Sequence, residues 1–419
     1  MWQNDPLGAW PPYTATSVSF ERMRKFLIVL VLSSISLPLS AKEPPPPPPF
    51  TTWLSELTVE AKSRGISDAL LKRALAGISP IKRVIELDRR QPEFSMTFWS
   101  YLTKSVNEQR IKKGRQMLAK HKVLLSRVSK KMGVQPRFLV AFWGLETNFG
   151  TYTGVFPVVG ALVTLAHDRR RSKFFRAQLL AALKLMDQGN FPVDVKGSWA
   201  GAMGNHQFIP TTYRDFAVDF DGDGKRNLWT SLPDIFASAA NYLGRSGWDA
   251  KRTWGREVQL PKDLDLALTG LEVRKPLSDW QKFGVRRMGG GNLPNVDIEA
   301  SLVLPAGYRG PAFLVYNNFR TIMVWNRSIY YALAVGHLAD RLVGAGALKT
   351  VKPEKDSPLS RRDVMDIQRR LNAKGFDAGG IDGRIGPMTR NAIKSYQKSV
   401  YLPADGYPDM GLLERLRGT

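Results

Sequence analysis

The chain has 419 residues and a mass of 46.9 kDa, with 43% hydrophobic and 23% charged residues, which excludes a wholly disordered, collagenous or polytopic membrane protein. It contains no cysteine, so disulfides, thiolate metal sites, cysteine nucleophiles and a lipid on an N-terminal cysteine are excluded too. A net charge of +24 predicts attraction to polyanions, but the longest basic run is Arg169 to Arg171 followed by Lys173, and with no nucleic-acid module beside it nucleic acid is not the expected partner.

Arg24 and Lys25 precede an apolar run from Phe26 to Leu39, and Ser40 and Ala41 then supply small residues, which is the three-part form of a secretory signal. The run is too short to span a bilayer comfortably, so no transmembrane anchor is expected in the mature chain. Met23 stands directly before the basic pair; residues 1–22 read as an upstream extension, and 1–41 are set aside as extension plus signal. Residues 42–50 form a proline-rich linker, with Pro44 to Pro49 predicted to be a stiff polyproline II spacer. A main body spans 51–347, a flexible polar junction with Pro353 and Pro358 covers 348–359, and a second unit occupies 360–419.

From Trp53 to Leu125 apolar residues recur at helical spacing, as in Leu70, Leu71, Ala74 and Leu75. Gly133 then marks a turn, and Pro136 opens a helix that runs through Arg137 to Glu146. Leu139, Phe142, Trp143 and Glu146 fall at i, i+3, i+4 and i+7, so one helix face carries three apolar side chains and one carboxylate. Asn148 and Gly150 end the helix just beyond it. Desolvation beside Phe142 and Trp143 and the negative end of the helix dipole both raise the pKa of such a carboxyl, as a general acid requires. A glutamate exposed at a frayed helix end is the ordinary alternative.

Further along, Asp219, Asp221 and Asp223 occupy positions 1, 3 and 5 of a loop, with Gly224 at 6 and the Lys225 carbonyl at 7, the spacing that gathers oxygen ligands around calcium. Position 12 is Thr230 instead of glutamate, and Asp234 is the candidate to reach in. Phe236 to Leu243 reads as helix, residues 255–325 as a small strand-containing insertion with Gly289 to Gly291, and 328–343 as helix again. In the tail, Val364, Ile367 and Leu371, then Ala392, Ile393 and Tyr396, then Leu412, Leu413 and Leu416 give three short helical faces. The expected fold class is mainly α (α+β): a helical body with a small β-containing insertion, plus a C-terminal three-helix module.

The string Gly144-Leu145-Glu146-Thr147-Asn148-Phe149-Gly150, followed by Gly201-Ala202-Met203-Gly204-Asn205-His206-Gln207-Phe208-Ile209-Pro210, resembles the two signatures of the lytic murein transglycosylase B family, glycoside hydrolase family 103. The likeness continues through Asp219 to Trp229, Ala239 to Leu243 and Asn326 to Tyr331, covering most of residues 51–345. It implies a lysozyme-like body that cleaves the β-1,4 bond between N-acetylmuramic acid and N-acetylglucosamine in peptidoglycan glycan strands. Glu146 would be the sole catalytic carboxylate, protonating the leaving oxygen and then deprotonating the C6 hydroxyl of the same muramic sugar to leave a 1,6-anhydro end.

The resemblance also implies that Ser198, Gln207, Tyr242, Trp325, Asn326 and Tyr331 line the cleft, with Arg170 and Arg171 meeting stem-peptide carboxylates. Trp325 departs from the tyrosine expected at its place. No cofactor is needed for the chemistry, a structural calcium ion is expected at Asp219, Asp221, Asp223, Lys225 and Asp234, and the protein is expected to act in the periplasm as a monomer. The tail resembles the peptidoglycan-binding domain type 1, through Gln368, Leu371, Gly375, Asp382, Gly383, Gly386, Thr389 and Gln397. A hydrolytic muramidase on the same scaffold and a noncatalytic wall-binding protein are the rival readings.

Overall fold

The computed structural model describes residues 48–90, 96–354 and 356–418. The signal, the upstream extension and most of the proline-rich linker lie outside the described residues. No helix among those described is long and apolar enough to cross a membrane.

The body is a helical assembly built around one large apolar core. The helix Pro136–Thr147 runs through it with Phe138 to Gly144 all buried. Its limits follow from local chemistry. Gly133 (φ 76°) closes the preceding helix Lys122–Met132 in the left-handed region, Pro136 occupies the first turn, and Asn148 (φ 51°) reverses the chain at the C-terminal end. The Phe149 N–H then donates to the Trp143 carbonyl at 3.1 Å, which folds the Phe149 ring back against the helix. Gly144 has to be bare there, because a Cβ would stand 2.7 Å from that ring.

Packed around this helix are Glu108–Lys120, Leu232–Arg245, Asn317–Trp325 and Ile329–Leu342. The pair Val158–His167 and Ser172–Asp187 completes the body, and a short ladder of Phe156–Pro157 with Lys196–Gly197 ties this pair to the second signature.

A second core belongs to the insertion. Five short antiparallel strands lie in the order Lys275–Pro276, Glu299–Val303, Ala312–Val315, Gly255–Gln259 and Arg286–Arg287. Leu302 pairs with Leu314, and Gly255 with Val315. Trp280, Leu302 and Leu314 are fully buried between this sheet and the helix Leu277–Lys282. The strand-containing region was expected to reach residue 325, but its last part is the helix Asn317–Trp325. Phe319, Ile322 and Trp325 are all buried, and their three-residue spacing gives that segment a helical face which the surrounding β-branched residues and glycines obscure.

The C-terminal module has its own core of Ile367, Leu371, Ile393, Tyr396, Leu413 and Leu416 from the helices Arg361–Ala373, Pro387–Ser399 and Met410–Gly418. Before it lies the junction expected to be flexible, and hydrogen bonds connect both junction and module to the body. The Glu257 carboxylate accepts the backbone N–H groups of Lys349 and Thr350, each at 2.8 Å. Beyond the junction, the Lys394 ammonium donates to the Thr269 carbonyl at 2.9 Å, and Asp405 accepts the Tyr308 N–H at 2.8 Å. Two carboxylates and an ammonium thus find backbone partners across the seam.

Candidate active site

Glu146 sits in the last turn of its helix, half-buried, beside the buried rings of Phe142 and Trp143. Two neutral donors hold its Oε1. The Trp325 indole N–H donates at 3.0 Å, and the Tyr331 hydroxyl donates to the same oxygen. Burial pushes the carboxyl from the ordinary 4.5 up to about 7, against the opposing pull of the Tyr331 and Trp325 hydrogen bonds. Burial, reinforced by the adjacent Glu146, drives the Tyr331 hydroxyl well above its usual range, so it stays a neutral donor. At neutral pH the site therefore holds a carboxyl poised to give a proton.

Both partners come from the helix pair that follows the β-containing insertion. Trp325 ends Asn317–Trp325, and Asn326 caps that helix and accepts the Ser328 N–H through Oδ1 at 3.1 Å. Ser328 in turn caps Ile329–Leu342 by accepting the Tyr331 N–H at 3.3 Å, which sets the phenol of Tyr331 at the first turn. Tyr242 stacks on Trp325 with ring centroids 5.0 Å apart, and its hydroxyl donates to the Val324 carbonyl at 3.3 Å. These contacts join Glu146, Tyr242, Trp325, Asn326 and Tyr331 into one constellation.

The second signature forms the adjoining wall. Gln207 has φ 51°, and its amide nitrogen donates to the carbonyls of Thr153 and Gly204, each at 3.0 Å. Ser198 accepts the N–H groups of Ala200 and Ala202, so its hydroxyl shapes a turn. Phe208, one residue after Gln207, lies 5.4 Å from Trp325 and 5.8 Å from Tyr242, which joins this wall to the acid.

Arg170 and Arg171 sit elsewhere in the bonding pattern, paired with Asp88, itself 2% exposed. The Arg170 side chain stays 34% exposed and can still meet a ligand, whereas that of Arg171 is 7% exposed and lies over the Phe175 ring.

Sequence reasoning missed Asn205, which joins the two signatures. Its Oδ1 accepts the Trp143 indole N–H at 2.7 Å, its Nδ2 donates to the Trp229 carbonyl at 2.8 Å, and its own carbonyl accepts the Thr147 hydroxyl at 2.8 Å. The available signal was a polar residue amid the buried glycines and apolar residues of the second signature.

In the acidic loop, Asp219, Asp221 and Asp223 are exposed, with ligand atoms all within 4.8 Å of one another. Lys225 is exposed, and its N–H donates to Asp223 at 2.8 Å. Asp234 does not join that cluster. It is fully buried, and its two carboxylate oxygens accept the N–H groups of Phe220 and Asn227, at 2.7 and 2.8 Å, so it braces the loop from behind.

Comparison with known proteins agrees with this architecture. Residues 49–340 match the model of the transglycosylase SLT domain, and residues 360–416 match that of a peptidoglycan binding domain. The chain is similar to membrane-bound lytic murein transglycosylase B of Escherichia coli (strain K12), 32% identical over 252 residues that make up 57% of this chain and 65% of that protein, so it spans just under two thirds of that relative's length.

Among solved structures it is similar to SltB3 from Pseudomonas aeruginosa in complex with NAG-anhNAM-pentapeptide, with a TM-score of 0.85 and 48% identity, covering 88% of this chain and 99% of that one. It is also similar to the Escherichia coli lytic transglycosylase Slt35 in complex with calcium, with a TM-score of 0.61 and 27% identity, covering 71% and 93% of the two chains. The chain belongs to the transglycosylase SLT domain family and carries a peptidoglycan binding domain at its C-terminal end.

Proposed function

We propose that the chain is a lytic murein transglycosylase in which Glu146 acts as both acid and base. The observation that carries this reading is a carboxyl held near neutrality, at about 7, by an apolar setting and bonded by two neutral donors. The Glu146 carboxyl protonates the glycosidic oxygen between N-acetylmuramic acid and N-acetylglucosamine as the C1–O bond breaks. The resulting carboxylate takes the proton of the muramic C6 hydroxyl as that oxygen closes on C1. A hydroxyl of the same sugar is already in reach, so no second carboxylate has to activate water. SltB3, bound to NAG-anhNAM-pentapeptide, supports the anhydro outcome.

Tyr242, Trp325, Asn326 and Gln207 bound the place where the sugar would lie, with Ser198 shaping the turn beneath Gln207 and Tyr331 fixing the acid. Arg170 is the arginine free enough to meet a stem-peptide carboxylate, with Arg171 supporting it through Asp88. The C-terminal module holds the enzyme on the wall polymer. The reading carries with it export to the periplasm, action as a monomer and assignment to glycoside hydrolase family 103.

A structural calcium ion suits the acidic loop, where Asp219, Asp221 and Asp223, with the Lys225 carbonyl, supply hard oxygen donors. The calcium complex of Slt35 supports that reading. The ion contributes no step to the chemistry.

The test is digestion of purified peptidoglycan followed by mass analysis of the fragments. Anhydro ends made by the unsubstituted protein, and lost in Glu146→Gln, are expected. Ends that have gained water would mark a hydrolytic muramidase instead, and no turnover by the unsubstituted protein would mark a binding protein.

A further inference from the structure

The two donors to Glu146 converge on one oxygen. The Trp325 Nε1 lies 3.0 Å from Oε1, the Tyr331 hydroxyl donates to Oε1 as well, and among the described residues no hydrogen bond reaches Oε2. The donors differ in kind. A phenol hydroxyl can turn and accept, but an indole N–H has no lone pair in the ring plane and can only donate.

Trp325 is also unable to move away. It is 2% exposed and boxed by the rings of Phe142, Tyr242, Phe208 and His206, with centroids at 4.5, 5.0, 5.4 and 5.9 Å. Oε1 thus faces a fixed hydrogen in either protonation state. In a neutral carboxyl the carbonyl oxygen is the better acceptor, so Oε1 is the carbonyl and the acid proton belongs on the other oxygen.

We propose that Glu146 gives and takes its proton through Oε2 alone, with Trp325 as the positioning residue that reserves Oε1 as the carbonyl acceptor. The inference rests on the acid–base reading of Glu146 and adds which atom performs it. The Oε2 proton passes to the glycosidic oxygen as that oxygen takes the C1–O electron pair. When the C6 oxygen bonds to C1, its proton returns to Oε2, and Glu146 ends as it began. The tryptophan that stands where tyrosine was expected thereby acquires a chemical consequence: a tyrosine hydroxyl could accept a proton from Oε1, and this indole cannot.

The test is infrared spectroscopy of the full chain below the Glu146 pKa, with the carboxyl C=O band assigned by its absence from Glu146→Gln. A C=O stretch falls in frequency as its oxygen accepts hydrogen bonds. In the unsubstituted protein the band is expected at the low position of a carbonyl that accepts two hydrogen bonds, and a band at the free-carbonyl position overturns the proposal. Trp325→Phe removes one donor and is expected to raise the band. It is also expected to move the basic limb of the pH profile of kcat/KM upward by about one unit, because the lost bond had favoured the carboxylate. An unmoved band with an unmoved limb, in a variant whose circular dichroism matches the parent, overturns the proposal. If that variant does not fold, Tyr331→Phe takes away the other donor and is held to the same upward band shift. Turnover by Glu146→Gln would instead sink the acid–base reading and leave the infrared result to stand by itself.

Discussion

Trp143 and Asn205 lock the helix that carries Glu146 to the second signature: the indole N–H of the first donates to the side-chain oxygen of the second at 2.7 Å, one helical turn from Glu146. Both are buried, so neither group has water to fall back on. Asn205→Ala leaves the Trp143 donor and the carbonyls of Leu228 and Trp229 without that amide. The expected cost is about 2–4 kcal/mol, read as a fall in thermal midpoint, with loss of turnover from the loosened acid helix. An unchanged midpoint would show that the link is dispensable.

Glu146 itself should weaken the fold as it ionises. Its folded pKa, about 7, lies above the ordinary 4.5, so between those values the folded state holds a proton that the unfolded chain releases. Stability is therefore expected to fall as pH rises through this window, with the full loss present above about pH 7 and on the order of 3 kcal/mol. Glu146→Gln stays neutral and escapes the loss. Melting curves of the two proteins at about pH 5 and about pH 8 are expected to diverge in favour of Gln at the higher pH. Parallel curves would contradict the raised pKa.

Calcium should act on stability and leave the chemistry alone. At ten to a hundred times a dissociation constant of about 10⁻⁴ to 10⁻³ M, the ion adds roughly 1.4–2.7 kcal/mol to a fold that binds it. The thermal midpoint is expected to rise by a few degrees on adding calcium and to return with chelator, and Asp221→Ala is expected to abolish the response. Magnesium, which favours a tighter octahedral shell, is expected to do less. A midpoint indifferent to calcium would refute metal binding at the loop.

Much of this was legible in the sequence, and the limits have physical causes. The helix face that carries Glu146 follows from the spacing of Leu139, Phe142 and Trp143, because a local period fixes which side chains share a side. Trp325 read as a sugar contact, and the structure bonds it to Glu146. These residues are 179 positions apart, and no local pattern records such a meeting. The same limit hid the bond between Trp143 and Asn205 and the pairing of Asp88 with Arg170 and Arg171. Counting along the metal loop reaches Thr230 at position 12, which leaves Asp234 as the nearby carboxylate to reach in. Its burial, and the two backbone N–H groups it satisfies, depend on how the loop folds over the helix Leu232–Arg245.

The backbone turns at this site have one more consequence. Asn148, Phe149 and Gln207 all hold positive φ angles, of 51°, 60° and 51°, which side-chain-bearing residues seldom choose unaided. Neighbours impose those turns, so neither signature keeps its shape as a free peptide. In a chain not yet folded, Glu146 is a common, ionised glutamate with no indole or phenol beside it. Such a chain holds no carboxyl poised near neutrality, and condensation of the body is the event that creates one.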